Sequence, residues 1–137
     1  MADDVLLYKV AIIERCLKRV EEEYRGHEQE FATNFTRQDA IMLNLLRACE
    51  AAIGLAMHLV RVKRLGLPQE SREAFRLLEQ AGVIEPPLAQ RMRAMVGFRK
   101  VATDDCQRLK LDIVRMIIER HLDEFRLYAA AAIAAAG

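Results

Sequence analysis

Basic side chains cluster in one segment of the sequence, and they are the first candidates for chemistry on a charged ligand. Residues 91–110 contain Arg91, Arg93, Arg99, Lys100, Arg108 and Lys110 against Asp104 and Asp105, a local net charge of +4. The whole chain is nearly neutral, with 21 Lys and Arg against 20 Asp and Glu, so its total charge does not indicate a nucleic-acid ligand. By itself the segment is typical of a solvated helix face, as is the shorter basic group Arg61, Lys63 and Arg64.

The histidines and acidic residues do not form a recognisable catalytic or metal-binding motif. The three histidines, His27, His58 and His121, lie far apart in the sequence. His58 lies beside an apolar stripe, which favours a hydrogen-bonded packing role, and the run Glu21, Glu22 and Glu23 is typical of a solvated face. Glycine-rich nucleotide-binding motifs, the GxSxG nucleophile motif and the HExxH zinc motif are missing from the sequence. We therefore predict no metal site and no cofactor.

The cysteine pattern and the N-terminus favour a soluble, cytoplasmic protein. The chain has three cysteines, Cys16, Cys49 and Cys106, and none of them is in a CxxC motif. The odd number and the spacing argue against a disulfide framework and a zinc site. Cys16 and Cys49 fall within apolar helical patterns and are expected in the core. The first residues, Met-Ala-Asp-Asp, do not resemble a secretion signal. No apolar run approaches the length of about 20 residues that a membrane span needs.

Apolar residues recur with helical spacing through nearly the whole chain. Residues with this spacing form an apolar stripe along one face of a helix. The stripes and their flanking residues predict five helices, at about residues 6–24, 36–65, 71–81, 86–98 and 112–128. Thr36 and Ser71 are the expected N-caps of the second and third helices, and Pro86 suits the first turn of the fourth. Residues 129–136 are alanine except for Ile133 and are expected to fray, because they offer little surface to pack.

These helices predict an all-α fold, an antiparallel bundle of four long helices and one short helix. No segment alternates with strand spacing and no linker is long enough to divide the chain, so residues 1–137 are expected to form a single domain. The first two stripes keep a near-heptad spacing over several turns, which predicts long, close helix packing. Bundles of this size often leave an apolar face for a partner, so a homodimer is also expected.

Three segments resemble the HepT-like branch of the HEPN superfamily. Residues 34–53 are similar to its second helix, residues 91–99 to the helix that leads into its catalytic motif, and residues 119–125 to its closing helix. The resemblance extends over most of the chain, from about residue 3 to residue 125. It implies a HEPN-like helical bundle, metal-independent cleavage of RNA, a homodimer, and a role as toxin beside a minimal nucleotidyltransferase antitoxin.

The resemblance also identifies site positions. The family motif is Arg, often followed by Asn, with His and Tyr further along the same stretch. This chain keeps Arg99 but has Lys100 at the Asn position, Asp104 at the His position and Cys106 at the Tyr position, and Gly54 stands where an acidic residue is expected. The implied catalytic residues are Arg99 and Asp104, and Cys106 occupies the position that the antitoxin adenylylates in the family. RNA or partner contacts are expected at Arg93, Lys100, Arg108 and Lys110.

The differences from the family motif affect proton transfer. In the family reaction the ribose 2′-hydroxyl attacks the neighbouring phosphate, which requires a proton-transfer group active near neutral pH and a cation beside the phosphorus. Histidine and arginine supply these two functions. A carboxyl with an ordinary pKa of about 3.9 holds its proton in only on the order of one molecule in a thousand at pH 7. With Asp104 in place of histidine, we predict weakened ribonuclease activity.

Helix geometry adds a constraint on Arg99 and Asp104. At about 100° per residue, positions 99 and 104 are separated by roughly 140° around a helix, whereas positions 99 and 106 nearly share a face. Unless the helix ends between them, the two side chains cannot both point into one pocket of a single chain. A cleft between two subunits would resolve this, in agreement with the implied homodimer.

Three functions are open on these grounds. The first is a toxin descended from an RNA endonuclease, and the second is an inactive HEPN subunit kept as a binding or scaffolding module. The third is a helical adaptor that contacts RNA through the basic residues 61–64. The retained Arg99 favours the first function, whereas Asp104 and Cys106 favour the second.

Overall fold

The apolar periodicity is realised as packed α-helices in the computed structural model, which describes residues 3–104 and 110–136 but not the side chain of Asp104. Within these residues the helices are α1 (Asp4–Tyr24), α2 (Phe35–Val62), α3 (Ser71–Gln80), α4 (Pro86–Asp104), α5 (Leu111–Arg120) and α6 (Leu122–Ala136), with a 3-10 turn at Glu28–Glu30. No strand occurs in this part of the chain. The predicted all-α bundle is confirmed, with α1, α2, α4 and α6 as its long helices.

Helices α1 and α2 pack against each other in antiparallel orientation. Asp3, before α1, is bonded to His58 near the end of α2, and Glu23 near the end of α1 pairs with Arg37 at the start of α2. The predicted stripes are buried along this contact: Leu6, Val10, Ile13, Leu17, Val20 and Tyr24 of α1, and Ile41, Leu45, Ala48, Ala52, Leu55 and Leu59 of α2. Val62, predicted to continue the second stripe, is instead exposed because α2 ends there.

Helix α2 ends earlier than predicted. Arg64 adopts a left-handed φ of 55°, and the N–H of Leu65 then donates to the Val60 carbonyl at 2.9 Å. This Schellman arrangement satisfies carbonyls that the end of a helix leaves open. The sequence predicts a helix to about residue 65, but the chain turns at Arg64.

The N-caps of α2 and α3 also differ from the predicted residues. Asn34 caps α2, because its Oδ1 accepts the Arg37 N–H at 3.1 Å, and Thr36 lies within the first turn. Ser71 is the first residue of α3 rather than its cap, and Glu70 holds the cap position without a side-chain hydrogen bond. The prediction for α2 was wrong because asparagine caps at least as well as threonine and comes two residues earlier in the chain.

The predicted last helix is divided in two at His121. This residue has φ −122° and ψ 0°, outside the α-helical region, so α5 and α6 follow different directions. The apolar residues Ile118, Leu122 and Phe125 are buried on both sides of the break. Because their spacing stays helical through residue 121, the sequence pattern does not indicate the break.

The alanine-rich end of the chain does not fray as predicted. Helix α6 continues to Ala136, and Ala129 and Ala132 are buried. Tyr128 anchors this end, since its hydroxyl donates to the Ala52 carbonyl at 2.9 Å and its ring meets Phe75 edge to face. The small alanine side chains let α6 approach its neighbours closely. This close approach buries the alanines and stabilises the end of α6, although no large side chains interdigitate there.

The segment between α1 and α2 adds a core residue that the helical pattern does not include. Phe31 is fully buried and meets the Tyr24 ring edge to face, with centroids 5.7 Å apart. The Arg115 guanidinium of α5 lies over both rings. The Tyr24 hydroxyl donates to Glu119, so this cluster ties α5 to the end of α1.

Helix α2 is long and apolar enough to cross a membrane by those two criteria, and it is the one such helix in the part of the chain that the structure describes. Half of its most apolar 18-residue window is buried inside the bundle. Its apolar face is therefore used by the protein core.

The buried hydroxyl of Tyr128 gives a test of the α6 packing. We expect Tyr128→Phe to lower the free energy of unfolding by about 1–2 kcal/mol, because the buried carbonyl of Ala52 is left without its hydrogen bond. Urea denaturation followed by circular dichroism measures this change. Tyr8→Phe is the matched control, since Tyr8 is 66% exposed and should change stability by less than about 0.5 kcal/mol. Equal effects of the two substitutions would contradict the packing of α6.

Candidate functional site

Arg99 reaches from α4 across to the exposed side of α2. Its Nη1 atom lies 3.2 Å from Oε1 of Glu50, and the side chains of Arg99 and Glu50 are 28% and 58% exposed. The Nε atom of Arg99 is buried and has no hydrogen-bond partner among the described residues. An ion pair this exposed contributes at most about 1 kcal/mol to stability, so an anionic ligand can compete with Glu50 for the guanidinium.

Cys49 lies beside the Arg99–Glu50 pair but is chemically quiet. Burial, together with the nearby Glu50 charge, raises the pKa of its thiol to about 12, and the Arg99 charge partly opposes this shift. A thiol with this pKa is almost entirely protonated at neutral pH and is a poor nucleophile. The predicted placement of Cys16 and Cys49 in the core is confirmed.

Gly54 lies one helical turn beyond Glu50, at the position where the resemblance predicts an acidic side chain. Lys9 of α1 fills the space, with its Nζ 3.1 Å and its Cε 3.2 Å from where a Cβ of residue 54 would stand. The absent carboxylate is thus replaced by a cation from the neighbouring helix. Lys9 and Glu50 were missed by the sequence reasoning, and the only signal for Lys9 is the missing acid at position 54.

Three of the other predicted site residues are described, and no contact with Arg99 is seen for them. Arg93 lies on a different face of α4 and pairs with Glu79 of α3 at 3.0 Å. Lys100 and Lys110 are exposed. The side chain of Asp104, together with Cys106 and Arg108, lies outside the described residues. The catalytic role of Asp104, the modification site at Cys106 and the RNA or partner contacts of the four basic residues therefore stay predictions.

Each of the three histidines forms a contact with a carboxylate side chain. His58 is buried, with Nε2 2.7 Å from Asp3 Oδ2 and Nδ1 3.1 Å from Arg61 Nη2, which confirms its predicted packing role. The hydrogen bonds to His58 and to the N–H of Leu6 lower the pKa of the Asp3 carboxyl. His27 and His121 each contact a glutamate three residues later, Glu30 and Glu124.

The run of glutamates in α1 belongs to an ion-pair network. Glu21 contacts Arg25 and Arg126, Glu22 contacts Arg19, and Glu23 contacts Arg19 and Arg37. Each carboxylate therefore faces a cation rather than another acidic ligand. Within residues 3–104 and 110–136, no group of three His, Cys, Asp or Glu side chains is placed to hold a metal ion.

An apolar cleft lies between α2, α4, α5 and α6. It has a volume of about 220 Å³, and its lining includes Leu45, Met92, Met95, Phe98, Ile117 and Phe125. At its border His121 Nδ1 lies 2.9 Å and Arg91 Nε 3.6 Å from Oε1 of Glu124. The walls of the cleft can accept an apolar group, and its polar side chains pair with one another at the border.

Comparisons with known proteins identify the family. The model of the family described as ribonuclease HepT-like matches residues 13–132. The chain is 43% identical over 126 residues to the mRNA nuclease HepT of Shewanella oneidensis, covering 92% of this chain and 94% of that protein.

Solved structures agree with this result. A crystal structure of a toxin–antitoxin with AMP-PNP superposes with a TM-score of 0.91 at 42% identity, covering 96% of this chain and 99% of that one. The tri-AMPylated Shewanella oneidensis HEPN toxin in complex with MNT antitoxin gives a TM-score of 0.92 at 41% identity, covering 97% and 99%. The resemblance drawn from the sequence is confirmed, and the chain belongs to the ribonuclease HepT-like family.

Proposed function

We propose that this chain is the toxin subunit of a toxin–antitoxin pair, derived from a metal-independent RNA endonuclease and weakened in catalysis. Its family, its similarity to an mRNA nuclease and its likeness to toxins solved with their antitoxins support this function. The observation that carries the proposal is Arg99, a partly exposed guanidinium held beside Glu50 by a weak ion pair. A cation in this setting can bind an RNA phosphate and stabilise the charge that develops on it.

The chain lacks the histidine that transfers protons in the family reaction. Attack of the 2′-hydroxyl on phosphorus needs a base to remove its proton and an acid to protonate the leaving 5′-oxygen. Asp104 stands at the motif position for this work, and a carboxylate repels the phosphate and holds almost no proton at neutral pH. The function is therefore RNA binding with slow cleavage.

The proposed partner is a minimal nucleotidyltransferase antitoxin, as in the solved complex of the HEPN toxin with MNT antitoxin. The relative solved with MNT antitoxin is tri-AMPylated. The family resemblance implies modification of the motif tyrosine, and here Cys106 takes that position. Among the three tyrosines, Tyr24 and Tyr128 are buried and Tyr8 is exposed on α1. Partner binding through the basic residues of α4 and Lys110 thus occurs without modification at position 106.

A homodimer in the cytoplasm completes the proposal. Helix α4 includes position 104, and positions 99 and 104 are roughly 140° apart around an ideal helix. This separation supports a site that is completed across a cleft between two copies of the chain. The exposed apolar side chains Ile113 and Met116 of α5 offer surface for such a contact.

The second candidate function is an inactive HEPN subunit that binds the nucleotidyltransferase as a scaffold. Asp104 and Cys106 favour it, because together they remove both the proton-transfer group and the modification site. A gene for a small nucleotidyltransferase beside this one would support the pairing under either function, and cleavage activity separates the two.

Restoring the imidazole should restore cleavage. We expect Asp104→His to cleave RNA without added metal about 10²–10⁴-fold faster than the parent chain at pH 7, since one general acid–base group contributes that much. Arg99→Ala in the Asp104→His background should remove the gain. The measurement is the rate of cleavage of a labelled RNA in the presence of a chelator. Strong cleavage by the parent, with no gain from Asp104→His, would refute the proton-transfer argument.

The homodimer has a direct test in solution. Light scattering over a range of protein concentrations should give the mass of two chains, because the site is completed by a second copy. A monomer that persists at the highest concentrations would overturn this part of the proposal.

Adenylylation should depend on the residue at position 106. The parent chain, incubated with its nucleotidyltransferase and ATP, should show no added nucleotide by intact-mass analysis, because a cysteine thiol does not reach as far as a tyrosine oxygen. Cys106→Tyr should gain adenylyl groups. Tyr8→Phe in the Cys106→Tyr background is the control that excludes the exposed Tyr8. An adenylyl group mapped to Cys106 would contradict the prediction, and failure of either chain to bind the enzyme would favour a function without this partner.

A further inference from the structure

One face of α2 stays outside the core and forms the floor of a shallow channel. Leu43, Arg47, Glu50, Gly54 and Met57 fall within about 80° of one another around the helix. All of them are exposed or partly exposed, whereas the residues on the opposite side of α2 are buried. We call this strip the outer face of α2.

Helices α1 and α4 both pack against α2 and flank its outer face with cations. On one side, Lys9 of α1 lies against Gly54. On the other side, Arg99 of α4 lies against Glu50. Arg47 is exposed on the face itself, so the strip holds three cations and one carboxylate, that of Glu50. The strip therefore carries a net positive charge although the whole chain is nearly neutral.

The position of Lys9 depends on the glycine below it. The Lys9 stem passes over Gly54, with Nζ, Cε and Cδ at 3.1, 3.2 and 3.7 Å from the place of a Cβ. Among the described residues, no carboxylate lies within ion-pair distance of Lys9. The ammonium group is thus directed along the outer face without being neutralised there.

We propose that Lys9 and Arg99, with Arg47 beside them, bind successive phosphates of a single-stranded RNA laid along the outer face of α2. This inference rests on the proposed function and deepens it by adding a second cation to the substrate site. Glu50 and Gly54 are one turn apart, about 6 Å along the helix, so the cations beside them are spaced on the scale of neighbouring phosphates in a strand. Lys9 supplies affinity and position, while Arg99 lies at the phosphate that reacts.

The first experiment compares two lysines of α1. Binding of a short fluorescein-labelled single-stranded RNA is measured by anisotropy over a salt titration, with the parent, Lys9→Ala, Arg99→Ala and Lys18→Ala chains. Lys18 is exposed on another side of α1 and is the matched control. Lys9→Ala should weaken binding about 5-fold and reduce the slope of log Kd against log salt by about 0.7, the value expected for each phosphate neutralised on a single strand. Lys18→Ala should change neither.

The second experiment uses Gly54 to neutralise Lys9 in place. Gly54→Glu sets a carboxylate next to the ammonium and should weaken RNA binding as much as Lys9→Ala does. Gly54→Gln has nearly the same size and no charge, and it should stay within about 2-fold of the parent chain. The Cβ of either new side chain meets the flexible end of Lys9, and circular dichroism checks that each variant is folded.

The outcomes separate this inference from the proposed function. If Arg99→Ala weakens RNA binding but Lys9→Ala behaves like Lys18→Ala, the Lys9 site is overturned and the proposed function stands. Equal effects of Gly54→Glu and Gly54→Gln would also overturn it, because size rather than charge would then explain the weaker binding. If Lys9→Ala impairs binding of the nucleotidyltransferase and leaves RNA binding unchanged, the face binds protein and the inference fails. A parent chain that binds no RNA overturns both.

Discussion

Helix α2 packs against α1, α3, α4 and α6, and the burial of its apolar side is the interaction on which the other elements depend. Small residues on that side, Ala48, Ala52 and Ala56, are fully buried and let the neighbouring helices approach closely. Tyr128 then bonds to the carbonyl of Ala52 and fixes the last helix in place. Because α2 is enclosed on these sides, one strip of it faces outward among the described residues, and Lys9 of α1 and Arg99 of α4 each contact that strip.

The sequence predicts the helical core well, because each core stripe repeats with the helix period. It does not predict the break at His121, because the apolar spacing continues through that residue. It also does not predict that Phe31 is buried, because Phe31 lies outside the helical patterns. The end of α6 was mispredicted because an alanine run has no stripe, although its small residues can still be buried. Burial there depends on which helix lies opposite, and a single sequence does not contain that information.

The candidate site was predicted only in part for a similar reason. The resemblance identified Arg99, and the structure supplies its neighbour Glu50. Periodicity says that Glu50 faces outward, but it does not say that α4 passes above it. The resemblance to the family predicts an acidic residue at position 54, where this chain has glycine. In the structure Gly54 leaves space for the Lys9 side chain.

We propose that RNA binding and proton transfer are separate in this chain, with Arg99 kept for the first and Asp104 in place of the imidazole needed for the second. The pH dependence of single-turnover RNA cleavage by Asp104→His distinguishes the two. We predict a cleavage rate that changes through an apparent pKa of about 6.5, that of an imidazole, and a parent chain without this transition. A pH profile for Asp104→His that superimposes on that of the parent would show that the missing imidazole does not limit cleavage.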